Sequence, residues 1–297
     1  MTGKALAATL VLCGLGAAAC GGTAAGADLA RTRGPVPPAA GTAAAPAADA
    51  PARPAAGAAS DPTPSPAAGQ SGQSGQSDKP LSGKVVVIDP GHNGQNYRHP
   101  AEINKQVNVL TQSKACDTTG TATDNGYSEA AFTWDVSQRL AKILKSRGAT
   151  VKLTRDSNSG VGPCITQRAA IGNRAKADAA ISVHADGASP ANHGFHVIMP
   201  EKIGGPVDPV VKASRKLGLD VRNAFRRGTG LPYSTYIGKD ALDYRNDLGG
   251  LNLSTVPKVF IESGNMRNSA EAAKFQQPAF RQRIALALAN GLQQYLK

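Results

Sequence analysis

The chain has 297 residues and a formal net charge of +12, with 33 Lys and Arg against 21 Asp and Glu. So basic a chain invites nucleic acid as a partner, yet no DNA- or RNA-binding motif is present, and an anionic cell envelope is the better-fitting counter-surface. The first 80 residues are not domain-like, which leaves one folded unit of about 215 residues, enough to bury a sizeable core.

Residues 1–20 read as a secretory signal. Lys4 gives the positive end, Ala5 to Leu15 a short apolar core, and Ala17, Ala18 and Ala19 a small-residue cleavage zone. The apolar run is too short to span a membrane. Cys20 and Gly21 follow directly, a pattern similar to a lipoprotein box, although Ala17 stands where Leu is preferred. Cys20 is therefore the candidate lipidation site, the alternative being plain cleavage after Ala19. Residues 21–80 are Ala, Pro, Gly and Ser with little else and close in Gly-Gln-Ser repeats. Such a segment cannot bury enough apolar surface to offset its ordering entropy, so a disordered tether is expected, spanning on the order of 40 Å. With Cys13 inside the signal, the folded part holds only Cys116 and Cys164. In an exported protein these two are expected to pair, leaving Cys20 for the lipid.

The folded part opens on Val85, Val86, Val87 and Ile88, a β-branched run that reads as a strand buried on both faces. Asp89, Pro90 and Gly91 stop it and place His92 at its carboxyl end, where open α/β sheets bind ligands. Residues 93–126 are polar and without periodicity, a long loop expected beside the site. Phe132, Val136, Leu140, Ile143 and Leu144 have helical spacing, so a helix is expected over 127–144 with Glu129 in its first turn. A carboxylate there serves a helix dipole equally well. A strand is expected at 149–155, a helix at 164–176, and a strand at 179–184 that ends in His184. Residues 195–199 give a further strand with His196 packed in it, and 206–227 a basic helix. Residues 228–256 read as loop, 258–262 as a strand ending in Glu262, and 278–296 as the closing helix. Strands alternating with helices imply an α/β single-domain layer sandwich, with a mostly parallel twisted sheet of about six strands flanked by helices.

Three strands thus end in an ionisable residue at the same edge. The stretch Ile88-Asp89-Pro90-Gly91-His92-Asn93-Gly94, then Glu129, then Ser182-Val183-His184-Ala185-Asp186, then Val256 to Gly264 followed by Arg267 and Asn268 resembles the zinc-dependent N-acetylmuramoyl-L-alanine amidases of the type-3 catalytic domain. The likeness runs from about residue 84 to the C-terminus, and its motifs fall in the family's order. It implies one zinc held by His92, Glu129 and His184, the ligand count of a catalytic site with a fourth position open. It also implies Glu262 as the catalytic acid–base group, with a structural partnership to an Arg such as Arg267 as the alternative. Asp89 is expected behind the ligands, and His99 and His193 match no ligand position. The implied substrate is peptidoglycan, cut between N-acetylmuramic acid and L-alanine, by a monomer in the cell envelope or outside it, with the membrane reached through the Cys20 lipid. Two departures from the family are the long Cys116-containing segment and the run Gly264-Asn265-Met266-Arg267-Asn268. Another exported zinc peptidoglycan hydrolase, a peptidase or a deacetylase, is the alternative, as is a wall-binding module without activity.

Overall fold

The computed structural model describes residues 79–297. The signal, Cys20 and all but the last two residues of the tether lie outside the described residues. In chain order the elements are β1 (Val85–Pro90), α1 (Pro100–Ile103), β2 (Gln106–Asn108), β3 (Ser113–Ala115), α2 (Glu129–Ser146), β4 (Thr150–Leu153), α3 (Ile165–Arg174) and β5 (Ala179–Asp186). There follow β6 (His196–Pro200), α4 (Val211–Thr229), β7 (Leu242–Arg245), α5 (Gly249–Asn252), β8 (Lys258–Asn265), α6 (Ser269–Phe275) and α7 (Pro278–Leu296).

Six strands form one sheet in the order β4-β1-β5-β8-β6-β7. The first four run parallel, while β6 lies antiparallel to β8 and parallel to β7. The β-branched run of β1 sits inside the sheet, paired on one side with β4 and on the other with β5. Its side chains split between two layers: Val86 and Ile88 enter the main core, and Val87 the smaller one. The main core is closed by Phe132, Val136 and Leu140 of α2, Leu217, Val221 and Phe225 of α4, and Ile284, Leu288 and Leu292 of α7. Each of these side chains is fully buried, and taking its apolar surface out of water contributes roughly 1.5–3 kcal/mol per side chain. The smaller core lies on the opposite face, between Val87 and Ala180 of the sheet and Ala177 and Val256, with Ile171 of α3 packed against it.

Five short elements appear where sequence periodicity is silent. Residues 93–126 contain the single-turn α1, started by Pro100 at its first position, and the two-stranded β2–β3 hairpin. Within 228–256 the sheet gains its edge strand β7 and the helical turn α5. These elements have three or four residues each, too few to print a pattern, and pairing with the rest of the fold sets them. Helix α6 is different: Asn268 caps it by accepting from the Glu271 N–H, a signal visible in the sequence as Asn followed three residues later by Glu.

Candidate metal centre

A helix that follows a parallel strand starts at the carboxyl edge of the sheet, so α2 brings its first residue, Glu129, back over the ends of β1 and β5. Ser128 fixes that start by accepting from the Ala131 N–H. His92 stands in the turn after β1 with φ of 59°, a left-handed conformation that a side chain adopts only under constraint. The constraint is visible: the Gly91 N–H is tied to the Val183 carbonyl at 3.0 Å. Residue 91 must be Gly, because a Cβ there would lie 2.2 Å from the His184 ring.

His92, Glu129 and His184 each offer one donor atom, and these atoms all lie within 4.8 Å of one another. Glu129 is 4 % exposed and uses both oxygens. Its Oε1 faces His184 Nδ1 at 3.0 Å and accepts from the Ala185 N–H at 3.2 Å. Its Oε2 faces His92 Nε2 at 3.1 Å and accepts from the Thr121 N–H at 3.0 Å. The two imidazoles meet edge to face with centroids 4.9 Å apart, and Phe260 stacks on His184 at 5.4 Å. Glu262 follows on the neighbouring strand, in register with His184, and the β5–β8 ladder breaks just beyond them, between His184 and Asp186.

A cleft passes over this cluster in two lobes. One, about 220 Å³, is walled by Ile165, Leu248 and Phe260 beside His92 and His184. The other, about 310 Å³, is lined by Glu129, Asp186, Arg245 and Glu262.

The N-acetylmuramoyl-L-alanine amidase family matches residues 86–294. The N-acetylmuramoyl-L-alanine amidase Rv3717 of Mycobacterium tuberculosis is 37 % identical over 219 residues, covering 73 % of this chain and 88 % of its own. This chain belongs to the N-acetylmuramoyl-L-alanine amidase family. The amidase also superposes on solved structures. N-acetylmuramyl-L-alanine amidase Ami1 from Mycobacterium smegmatis matches with a TM-score of 0.69 and 37 % identity, over 73 % of this chain and 98 % of that one. The apo form of Ami1 from Mycobacterium abscessus matches with 0.68 and 39 %, over 73 % and 100 %.

The electrostatics of the amidase site call for a cation. Burial works against charge on His92, yet the Glu129 and Asp117 carboxylates hold its imidazolium up to about 10. Burial likewise opposes ionisation of Glu129, and the two imidazoles override it and hold its carboxyl well below the usual range. A group of two imidazoles and a buried carboxylate that draws positive charge this strongly is a fitting donor set for a divalent ion such as zinc. Glu262 behaves oppositely. Burial first, then the Glu129 and Asp186 charges, push its carboxyl well above the ordinary value. Its Oε2 is buried without a hydrogen-bond partner. Arg267, the alternative partner for Glu262, instead pairs with Asp124 at 3.1 Å.

Asp89 is buried, and none of its hydrogen bonds goes to a side chain of the cluster. It accepts from Thr154, Arg168, Ser182 and Lys258. The carboxylate beside the cluster is Asp117, whose Oδ1 lies 3.3 Å from His92 Nδ1. Asp117 sits in the segment without sequence periodicity, and only its place next to Cys116 could have drawn attention to it. Cys116 and Cys164 are joined by a disulfide with Cα atoms 4.6 Å apart. His99 pairs with Glu102 on an exposed surface, and neither it nor His193 enters the cluster. His196 is buried opposite Glu262 in the β6–β8 ladder, and burial lowers it to about 4, so it is neutral.

Proposed function

We propose that this protein is an exported, zinc-dependent hydrolase that cleaves the amide between N-acetylmuramic acid and L-alanine in peptidoglycan, in the service of wall remodelling. The observation that carries the reading is the cluster of His92, Glu129 and His184 beside a half-buried Glu262 whose Oε2 has no hydrogen-bond partner. When bound there, zinc supplies Lewis acidity that polarises a carbonyl and acidifies water. The chain supplies the rest. Glu262, at the cleft wall, takes the proton of the attacking water on its carboxylate and delivers it to the leaving amine nitrogen. Phe260, stacked on His184, holds that imidazole in place, and Ile165 and Leu248 give one lobe an apolar wall.

Mass spectrometry of muropeptides after digestion tests the reaction. The protein should release stem peptides that begin with L-alanine, leave glycan strands whole, and stop when zinc is chelated. Cuts within the stem peptide would make it a peptidase instead, and release of acetate alone a deacetylase. An unchanged substrate with zinc present would leave a wall-binding module.

Export and anchoring are part of the same proposal, resting on residues 1–20 and Cys20. Among the described residues no helix is long and apolar enough to cross a membrane. A monomer on a lipid anchor would reach the wall through the tether of residues 21–80. Full-length protein from a bacterial host should sediment with membranes, and Cys20→Ser should release it. A soluble wild type beginning at an unmodified Cys20 would replace the anchor by plain signal cleavage.

A further inference from the structure

His92 has its outer ring nitrogen capped entirely by one dipeptide. Nδ1 faces the Thr118 carbonyl at 3.1 Å, Thr118 Oγ1 at 3.2 Å and Asp117 Oδ1 at 3.3 Å. A carbonyl and a carboxylate only accept, so Nδ1 carries the hydrogen. Nε2, which faces Glu129, is then the nitrogen that would give up its hydrogen and offer a lone pair when a cation enters the cluster.

The dipeptide does not hold itself. Cys116, next in the chain, is bonded to Cys164, the residue that precedes α3. The Ile165 N–H donates to the Cys116 carbonyl at 2.9 Å. One turn on, Arg168 of α3 donates to Asp117 Oδ2 at 3.0 Å. The same guanidinium donates to the carbonyls of Pro90 at 2.7 Å and His92 at 3.0 Å, and to Asp89 Oδ1 at 2.9 Å. Both the ring cap of His92 and its backbone therefore hang from the first turns of α3. Arg168 and Asp117 are buried, at 4 % and 6 % exposure, so neither finds water as a substitute partner.

We propose that Asp117 is a positioning residue for His92, setting its tautomer and ring orientation for the metal, and that the Cys116–Cys164 disulfide holds Asp117 in that place. The inference rests on the zinc reading of the site. A bare counter-ion for Arg168 would have no reason to sit on the imidazole. A stabilising cross-link would have no reason to end one residue from it.

The test is zinc affinity, measured by competition with a chromophoric chelator on the whole mature protein, with cobalt(II) absorption as a second readout of ligand geometry. Asp117→Asn keeps the shape and an acceptor for Arg168 while removing the charge on His92. It should weaken zinc by ~10–100-fold, the range for partners of ligating histidines. Cys116→Ser with Cys164→Ser, chosen because free thiols would compete for zinc, should weaken it by about tenfold or more. The triple variant should bind no worse than Asp117→Asn, because the disulfide acts through Asp117 and the losses do not add. Affinity within about twofold of wild type for Asp117→Asn overturns the positioning role. Additive losses overturn the link to the disulfide. Should circular dichroism show Asp117→Asn unfolded, the serine pair with Asp117 intact decides, and unchanged affinity there overturns the proposal. Wild-type protein that binds no zinc fails the metal reading itself and is recognised at the first measurement.

Discussion

Glu262 shows why placement matters more than residue type. A carboxylate in water ionises freely, but here burial and the Glu129 and Asp186 charges raise its pKa, so proton uptake at that oxygen is made easier. A cation among His92, Glu129 and His184 offsets the Glu129 repulsion and brings Glu262 down toward the range where a base both accepts and returns a proton. Glu262→Gln keeps the shape and loses that capacity. It should retain zinc and its melting temperature yet lose ~10²–10⁴-fold in turnover. Near-normal hydrolysis of muropeptides by that variant would assign proton transfer to another group. Gly91 offers a second check at this scale. Gly91→Ala sets a Cβ against the His184 ring and should lower zinc affinity, while an unaltered zinc titration would mean the turn relaxes away. His92, His184 and Glu262 drew attention in the sequence because each closes an apolar run, while Glu129, which on its own serves a helix dipole equally well, did so only beside the two histidines and through the family resemblance. Asp117 did not, since its meaning depends on Arg168, 51 residues away, and on a disulfide spanning 48.

Among the elements, α2 couples folding to the site most directly. Its buried stripe was readable at 3.6-residue spacing, and its first turn carries Glu129 of the cluster, so the cap of the helix is also a support of the cluster. Ser128→Ala removes the acceptor for the Ala131 N–H and should cost about 0.5–2 kcal/mol of stability, with weaker zinc binding as Glu129 frays. Denaturant titration with and without zinc separates the two effects, and a variant as stable as wild type would make the cap redundant. Long elements such as α2 and α7 were legible because many buried positions repeat a period. The edge strand β7 was not. Its residues Leu242, Asp243, Tyr244 and Arg245 show no run of buried apolar side chains, and its place comes from pairing with β6. Its position nonetheless bears on the cleft, because Arg245 at its end lines the same lobe as Glu262.

The whole molecule joins three distant stretches of chain at one edge of its sheet, with His92 after β1, Glu129 at the head of α2 and His184 in β5. None of these is near the others in the unfolded chain, so an ion held by all three binds the folded state and not the unfolded one. Binding of that kind adds RT ln(1 + [L]/Kd) to stability, about 2.7 kcal/mol when free zinc is a hundred times its dissociation constant. For a domain of this size each kcal/mol moves the midpoint by roughly 2–4 °C. Chelation should therefore lower the melting temperature by about 5–11 °C, and added zinc should restore it. The charge balance of the site predicts the same direction. Without the ion, His92 must itself carry the positive charge that Glu129 and Asp117 demand, at the expense of burying an imidazolium. His184→Ala removes one donor, so its melting temperature should no longer respond to zinc. Calorimetry of wild type and this variant, each with chelator and with zinc, reads both expectations at once. A wild-type midpoint indifferent to zinc would mean that the three residues hold one another rather than an ion.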